Sequence, residues 1–271
     1  MTDSDPVIDT SRPSIARVYD YALGGKDNFE VDRQVLTNML AIDPQMPTLA
    51  KEHRVWSRKV VRWLAGEVGI DQFLDCGSGL PTMENTHQSA QLANGDAKVV
   101  YVDNDPVVIA HGRALLEDNA NTRFVNADLR HPDDDLLDSK PVAGFLELDR
   151  PIALIQCATI HHIDKLEQQQ SIMARYIDRL ASGSYVVLTH VHNPGDGGEV
   201  SQLAERMEAA YRSTNATTHW RPREEIETLF DGVDLVEPGL VPLHRWWPAG
   251  PATKAVRPIF DLVLGGVGRK P

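Results

Sequence analysis

Apolar runs of strand length alternate with amphipathic stretches through most of the chain. "QFLDC" (72–76), "KVVYVD" (98–103), "TRFVNAD" (122–128), "IALIQCA" (152–158) and "SYVVLTH" (184–190) are the runs. Their Val, Ile, Phe and Tyr content and their lack of strict alternation predict strands covered on both faces. Helix signals lie between them. Asp105-Pro106 offers an N-cap and a proline at the first helical position, before "VVIAHGRALLEDN". In "DKLEQQQSIMARYIDRL", Leu166, Ile172, Met173, Tyr176, Ile177 and Leu180 recur at helical spacing, and Gly183 closes the end.

The flanks differ from this centre. Residues 14–66 read as wholly helical, in "SIARVYDYAL", "NFEVDRQVLTNMLAI" and "TLAKEHRVWSRKVVRWLAGEVG". After residue 198, two helices ("GEVSQLAERMEAAYRST" and "RPREEIETLFDG") precede the strand candidates "VDLVEP" and "IFDLVLGG". The pattern predicts an α/β fold with a doubly wound, mainly parallel, seven-stranded sheet and right-handed crossovers. No repeat and no long Pro/Gly/Ser-rich linker divides the chain. It reads as one structural unit, with a helical N-terminal extension over 1–66 and an α/β domain over 67–271.

Composition narrows the partners. At 271 residues, with 42% hydrophobic and 24% charged residues, the chain is ordinary for a globular protein. Its formal charge of −12, from 39 acidic and 27 basic residues, repels phosphate backbones, so nucleic acid is not the expected partner. The start, "MTDSDPVIDTSR", has no basic segment followed by an apolar core, so no secretory signal is expected. No apolar run approaches the roughly 18 residues of a membrane helix. Cys76 and Cys157 sit inside apolar runs and read as buried reduced thiols. A cytoplasmic protein is expected.

The stretch "DQFLDCGSGLPTMENTHQ" (71–88) carries the first candidate chemistry. Gly77 and Gly79 let backbone N–H groups approach a ligand, and a helix entered directly after the turn would present its positive end there. A dinucleotide fingerprint would need glycine at position 82, which holds Thr82 behind Pro81, and the Gly-Lys-Ser/Thr of a phosphate loop is missing. Asp75 would repel a pyrophosphate and attract a cation. A nucleoside bearing an ammonium or sulfonium group fits these charges better. Asp103, at the tip of the second strand, can accept from both ribose hydroxyls, and Asp128, after the third, from an adenine amino group. Asn104 can reach the adenine end, while Asp105 serves as a helix cap.

With these residues the chain resembles class I methyltransferases, which bind S-adenosylmethionine. Asp75-Cys76-Gly77-Ser78-Gly79 matches their first motif, Asp103 their ribose acid and Asp128-Leu129 their adenine-edge pair. It resembles, more narrowly, the actinobacterial S-adenosyl methyltransferase family, formerly a domain of unknown function. "ARVYDYALGGKDNFEVDR" (16–33), "GSGLPTMENTH" (77–87), "VVYVDNDPVV" (99–108), "HHI" (161–163) and "GLVPLHRWWP" (239–248) carry that likeness over nearly the whole chain. It implies S-adenosylmethionine as cofactor and methyl transfer as the reaction, and it leaves the acceptor open; the acidic surface favours a small-molecule or protein acceptor. Cys157 and Ala158, at the end of the fourth strand, join the candidate cofactor contacts.

The turn in "YDYALGGKDN" has a local account: a helix stops at Gly24-Gly25 and restarts with Asn28 as N-cap. In the resembled enzymes an N-terminal segment folds over the cofactor, so Tyr21, Gly24, Gly25 and Asn28 are also lid candidates. His161 and His162, after the fourth strand, face the expected acceptor position and are candidate bases. His190 and His192, after the fifth, are placed on the same rim. No cysteine or helical His-x-x-x-His completes a metal site, and none is expected. Trp246 and Trp247 read as packing residues that could also wall an aromatic pocket. Two rival readings stay open: an NAD-dependent oxidoreductase and a non-catalytic S-adenosylmethionine-binding protein.

Overall fold

The computed structural model describes residues 8–81, 84–214, 217–247 and 256–271. Five strands pair in parallel in the order β3-β2-β1-β4-β5: β1 (Gln72–Cys76), β2 (Lys98–Asp103), β3 (Thr122–Asn126), β4 (Ala153–Cys157) and β5 (Tyr185–Val191). Every residue of β1 and β5 is buried, which is why these runs are apolar without alternation. β6 (Asp234–Leu235), β7 (Val241–Pro242) and β8 (Val263–Arg269) complete the sheet, with β8 antiparallel beside β5.

Among the described residues the sheet thus has eight strands where seven were expected. The expected strand "VDLVEP" contributes only Asp234 and Leu235, paired with Arg269 and Gly268 of β8. Val241 and Pro242 then resume the same edge opposite Gly265 and Leu264. Pro238 cannot donate to a ladder, and Gly239 sits at φ 85, so the edge breaks between them.

Nine helices are placed among the described residues: α1 (Ile15–Leu23), α2 (Glu30–Ile42), α3 (Met46–Trp63), α4 (Thr86–Ala93), α5 (Pro106–Leu115), α6 (Lys140–Ala143), α7 (Leu166–Arg179), α8 (Glu199–Arg212) and α9 (Arg223–Glu227). Ile172, Met173 and Tyr176 of α7 pack on one face of the sheet. Val60 of α3, Ala90 of α4 and Val108 of α5 pack on the other. A third apolar cluster joins α1, α2, α3 and α8 through Val18, Leu36, Met39, Leu49 and Met207. No described helix is long and apolar enough to cross a membrane.

Local chemistry sets the helix starts. Asp105 caps α5, accepting from Val107 N at 2.8 Å, with Pro106 first in the helix. α2 is capped at Phe29 and not at Asn28: Asn28 Oδ1 accepts from Arg33 Nε (2.9 Å), and its Nδ2 donates to the Asp20 carboxylate (2.8 Å) and the Gly25 carbonyl (3.1 Å). Asp32 instead accepts from Phe29 N at 2.8 Å and pairs with Arg17 at 2.8 Å, tying α1 to α2. α4 does not open directly after the glycine turn. It begins at Thr86, where Asn85 and Gln88 form a reciprocal capping box.

Candidate active site

A cavity of about 700 Å³ lies over the carboxyl ends of the parallel strands, beside the point where strand order reverses between β1 and β4. Asp75, Gly77, Ser78, Gly79, Asp103, Asn104, Asp128, Leu129, Cys157, Ala158, His161 and His162 all line it. The glycine turn is drawn across the tip of β2. Gly77 N and Ser78 N donate to the Val102 carbonyl at 2.7 and 3.1 Å, and Gly79 N donates to Asp103 Oδ2 at 2.9 Å. Both glycines have positive φ, 72 and 66. A Cβ on Gly77 would lie 2.3 Å from Thr159 Cγ2, whereas one on Gly79 would meet nothing within 4 Å. Gly77 is therefore fixed by packing, and Gly79 opens onto free space.

The three acids differ in state. Asp75 is buried and accepts from Thr86 Oγ1 at 2.6 Å; burial raises its pKa, and Thr86 and Arg54 oppose the rise. Burial also raises Asp103, against hydrogen bonds from the Asp105 and Gly79 N–H groups. Asp128 is lowered, first by hydrogen bonding from Arg130, whose Nε and backbone N each donate to it at 2.9 Å. Much of its acceptor capacity is already used there.

Beyond β4 the backbone is strained: Ala158 has φ 59, and its N–H donates to Thr189 Oγ1 at 2.8 Å. Burial pushes the Cys157 thiol up to about 12, which keeps it protonated. The His161 ring is buried, 4.3 Å from His162 and 5.4 Å from His190. Burial holds His161 well below its ordinary pKa and lowers His162 to about 4, so both are neutral imidazoles near pH 7. His162 Nδ1 lies 2.7 Å from the Thr217 carbonyl.

Several expected placements differ. His190 is in the core, its Nδ1 2.7 Å from the Val191 carbonyl, and His192 borders a separate small cavity. Neither lines the main cavity: Thr189 and Val191 do, and strand alternation turns His190, and His192 two positions on, to the other side. Trp246 is buried against Trp56 at 5.8 Å and donates to the Gly265 carbonyl, while Trp247 packs near Trp63; both lie outside the wall. Tyr21, Gly24, Gly25 and Asn28 also lie outside it. They build the α1–α2 turn, where a Cβ on Gly25 would overlap the Asp20 carboxylate. The N-terminal segment meets the cavity a few residues earlier, through Ser14, Ile15, Val18, Tyr19 and Ala22. The Ser14 hydroxyl donates to the Asp105 carboxylate, joining that segment to the loop after β2.

Other wall residues were not singled out from sequence: His53, Arg54, Ser57, Thr86, Thr189, Tyr211 and Trp220. A buried polar chain crosses this wall. Tyr19 OH is 2.7 Å from His53 Nδ1, and His53 Nε2 is 2.8 Å from Thr189 Oγ1, which holds Ala158 N. Burial lowers His53 to about 3. Its one sequence signal is spacing, since His53 and Ser57 share the α3 face that carries Leu49, Ala50 and Val61.

The comparisons agree with this geometry. The chain aligns over its full length with a crystal structure of a proposed methyltransferase from Thermobifida fusca YX, at 39% identity and a TM-score of 0.90, covering 100% of this chain and 99% of that one. A DUF574 family protein from Streptomyces avermitilis MA-4680 is 35% identical with a TM-score of 0.89, covering 98% and 100%. Human N-acetylserotonin methyltransferase in complex with SAM, 12% identical with a TM-score of 0.50 over 96% of this chain and 63% of that one, shares the fold alone. No curated protein matches the chain. The model of the S-adenosyl methyltransferase family matches residues 1–271, and the chain belongs to that family: it is an S-adenosylmethionine-dependent methyltransferase.

Proposed function

We propose that this methyltransferase acts on a small-molecule acceptor enclosed in the same cavity as the cofactor, with the cofactor lying along the ends of β3, β2 and β1. The observation that carries this reading is the continuity of one cavity from the acid-tipped strands to the helical wall of α1, α2, α3 and α8. The residues fit the cofactor. Ser78 Oγ is buried without a partner, the space over Gly79 is open, and Asp75 is a buried carboxylate that a cationic group would ionise.

Each side chain has a task under this reading. Asp75 takes the ammonium of the methionine end, and Arg54, on the facing helix, takes its carboxylate. A carboxylate offers about four acceptor positions. Asp103 uses two of them on Gly79 N and Asp105 N, which leaves capacity for the two ribose hydroxyls. Asn104, Asp128 and Leu129 border the adenine. When bound, S-adenosylmethionine supplies a methyl carbon on a positively charged sulfur. The chain's own part is to align the acceptor, exclude water and take a proton, for which the neutral imidazole of His161 is placed, with His162 beside it.

The helical segment 1–66 serves as cover for the unit 67–271. The charge of −12 and two free thiols support a cytoplasmic protein whose acceptor is not nucleic acid. Calorimetric titration with S-adenosylhomocysteine and with NAD tests the reading. Binding of S-adenosylhomocysteine, weakened sharply by Asp103→Ala, is expected; binding of NAD alone would overturn it.

A further inference from the structure

We infer that the acceptor is a compact, uncharged, mainly apolar molecule carrying a hydroxyl, held between His161 and Trp220. The inference rests on the reading that the ends of β1, β2 and β3 take the cofactor. Strand order then leaves the space over β4 and β5 for the acceptor. Facing that space are Val18, Leu36, Met39 and Leu49, all buried apolar residues that also line the cavity. A charged or many-hydroxyl ligand would lose its hydration there without gaining partners.

Two polar atoms of this wall are buried without a hydrogen-bond partner, His161 Nδ1 and Trp220 Nε1. Their segments are joined, because His219 N donates to the His161 carbonyl at 2.8 Å. Buried polar groups are normally paired, so these two orphans, on the side of the cavity away from Ser78, point to a second ligand that pairs them. The indole N–H only donates, so the ligand must accept. A neutral imidazole nitrogen donates or accepts according to tautomer, so the ligand must be able to answer either. A hydroxyl does both without charge. A carboxylate cannot donate, and an ammonium cannot accept. His161 takes the hydroxyl proton at a ring nitrogen as the oxygen forms its bond to the methyl carbon and the carbon–sulfur bond breaks, with its electron pair left on sulfur. The positive charge that leaves sulfur reappears on the imidazole, so the buried site never changes its net charge.

The test uses 1-naphthol, its methyl ether and 1-naphthoate, titrated by calorimetry into protein saturated with S-adenosylhomocysteine. The indole N–H resonance of Trp220, assigned through Trp220→Phe, is followed by NMR. Naphthol is expected to bind and to shift that resonance, with the ether and the naphthoate weaker by about tenfold or more. Trp220→Phe and His161→Phe should each weaken naphthol about tenfold while the affinity for S-adenosylhomocysteine stays unchanged. Should either variant unfold, the wild-type indole resonance, assigned independently by triple-resonance spectra, still decides. A still resonance, or naphthoate binding as tightly as naphthol, overturns the inference. Loss of S-adenosylhomocysteine binding by the wild type would instead overturn the cofactor reading on which it rests.

Discussion

Under the proposed reading Asp75 takes the cofactor's ammonium, and burial has raised its pKa. Only the ionised carboxylate pairs with an ammonium. In the free protein it keeps its proton to higher pH than an ordinary aspartate, so affinity is full above the raised pKa and falls as pH drops through it. For one coupled proton the fall approaches about tenfold per pH unit. Calorimetry with S-adenosylhomocysteine from pH 8 to pH 5 should show this fall, and Asp75→Asn should bind weakly with a flatter profile; an equally steep profile in that variant would rule out Asp75 as the titrating group. The two glycines divide their effects. Gly77→Ala drives a Cβ into Thr159 at φ 72 and should cost about 2–4 kcal/mol of stability. Gly79→Ala meets no atom and should cost only about 1–2 kcal/mol, its larger effect falling on cofactor binding. Denaturant midpoints and titrations in the reverse order would contradict this placement of the turn. These residues were legible because one short motif and two strand tips carry them. His53, Arg54 and Thr189 were not, since each lies in an apolar stripe and meets its partners only through tertiary packing; His53 and Thr189 are 136 positions apart.

At the scale of elements, the five parallel strands and the capped start of α5 were readable, because burial on both faces and Asp105-Pro106 are local signals. The start of α4 and the broken edge opposite β8 were not. The first depends on a capping box beyond the turn, and the second on how far a proline interrupts a ladder. α1 matters most for function. It is pinned to α2 by the buried Arg17–Asp32 pair and reaches the cavity floor through the Tyr19–His53–Thr189–Ala158 chain. Tyr19→Phe leaves His53 Nδ1 buried without that partner and should cost about 1–3 kcal/mol. Amide exchange locates the cover. Residues 14–22 should gain protection when S-adenosylhomocysteine binds, more than residues 24–28, because only the former line the cavity. Equal, ligand-independent exchange across both would make α1 a fixed wall and not a closing one.

Over the whole molecule, the fold keeps the buried imidazoles at and behind the site uncharged. His53 and His190 are lowered to about 3 and His162 to about 4, and His161 is well below its ordinary value, each chiefly by burial. The unfolded chain protonates its histidines near pH 6.5. Between that pH and about 4 the unfolded state therefore binds protons that the native state refuses, and stability falls as pH falls. Asp75 and Asp103 act in the opposite sense, since burial lets the native state hold their protons at higher pH than the unfolded chain. Across the histidine range the imidazoles outweigh these carboxylates, because an unfolded aspartate titrates lower, and each proton of difference is worth about 1.4 kcal/mol per pH unit. The unfolding free energy from urea titrations should be near its plateau at pH 7 and above, and should drop steeply from pH 6 to pH 5. Saturating S-adenosylhomocysteine should raise the curve most at the high-pH end, where Asp75 is ionised and binding is tightest. A stability that is flat between pH 7 and pH 5 would mean that these histidines accept protons in the native state, and the neutral base assigned to His161 would fall with it.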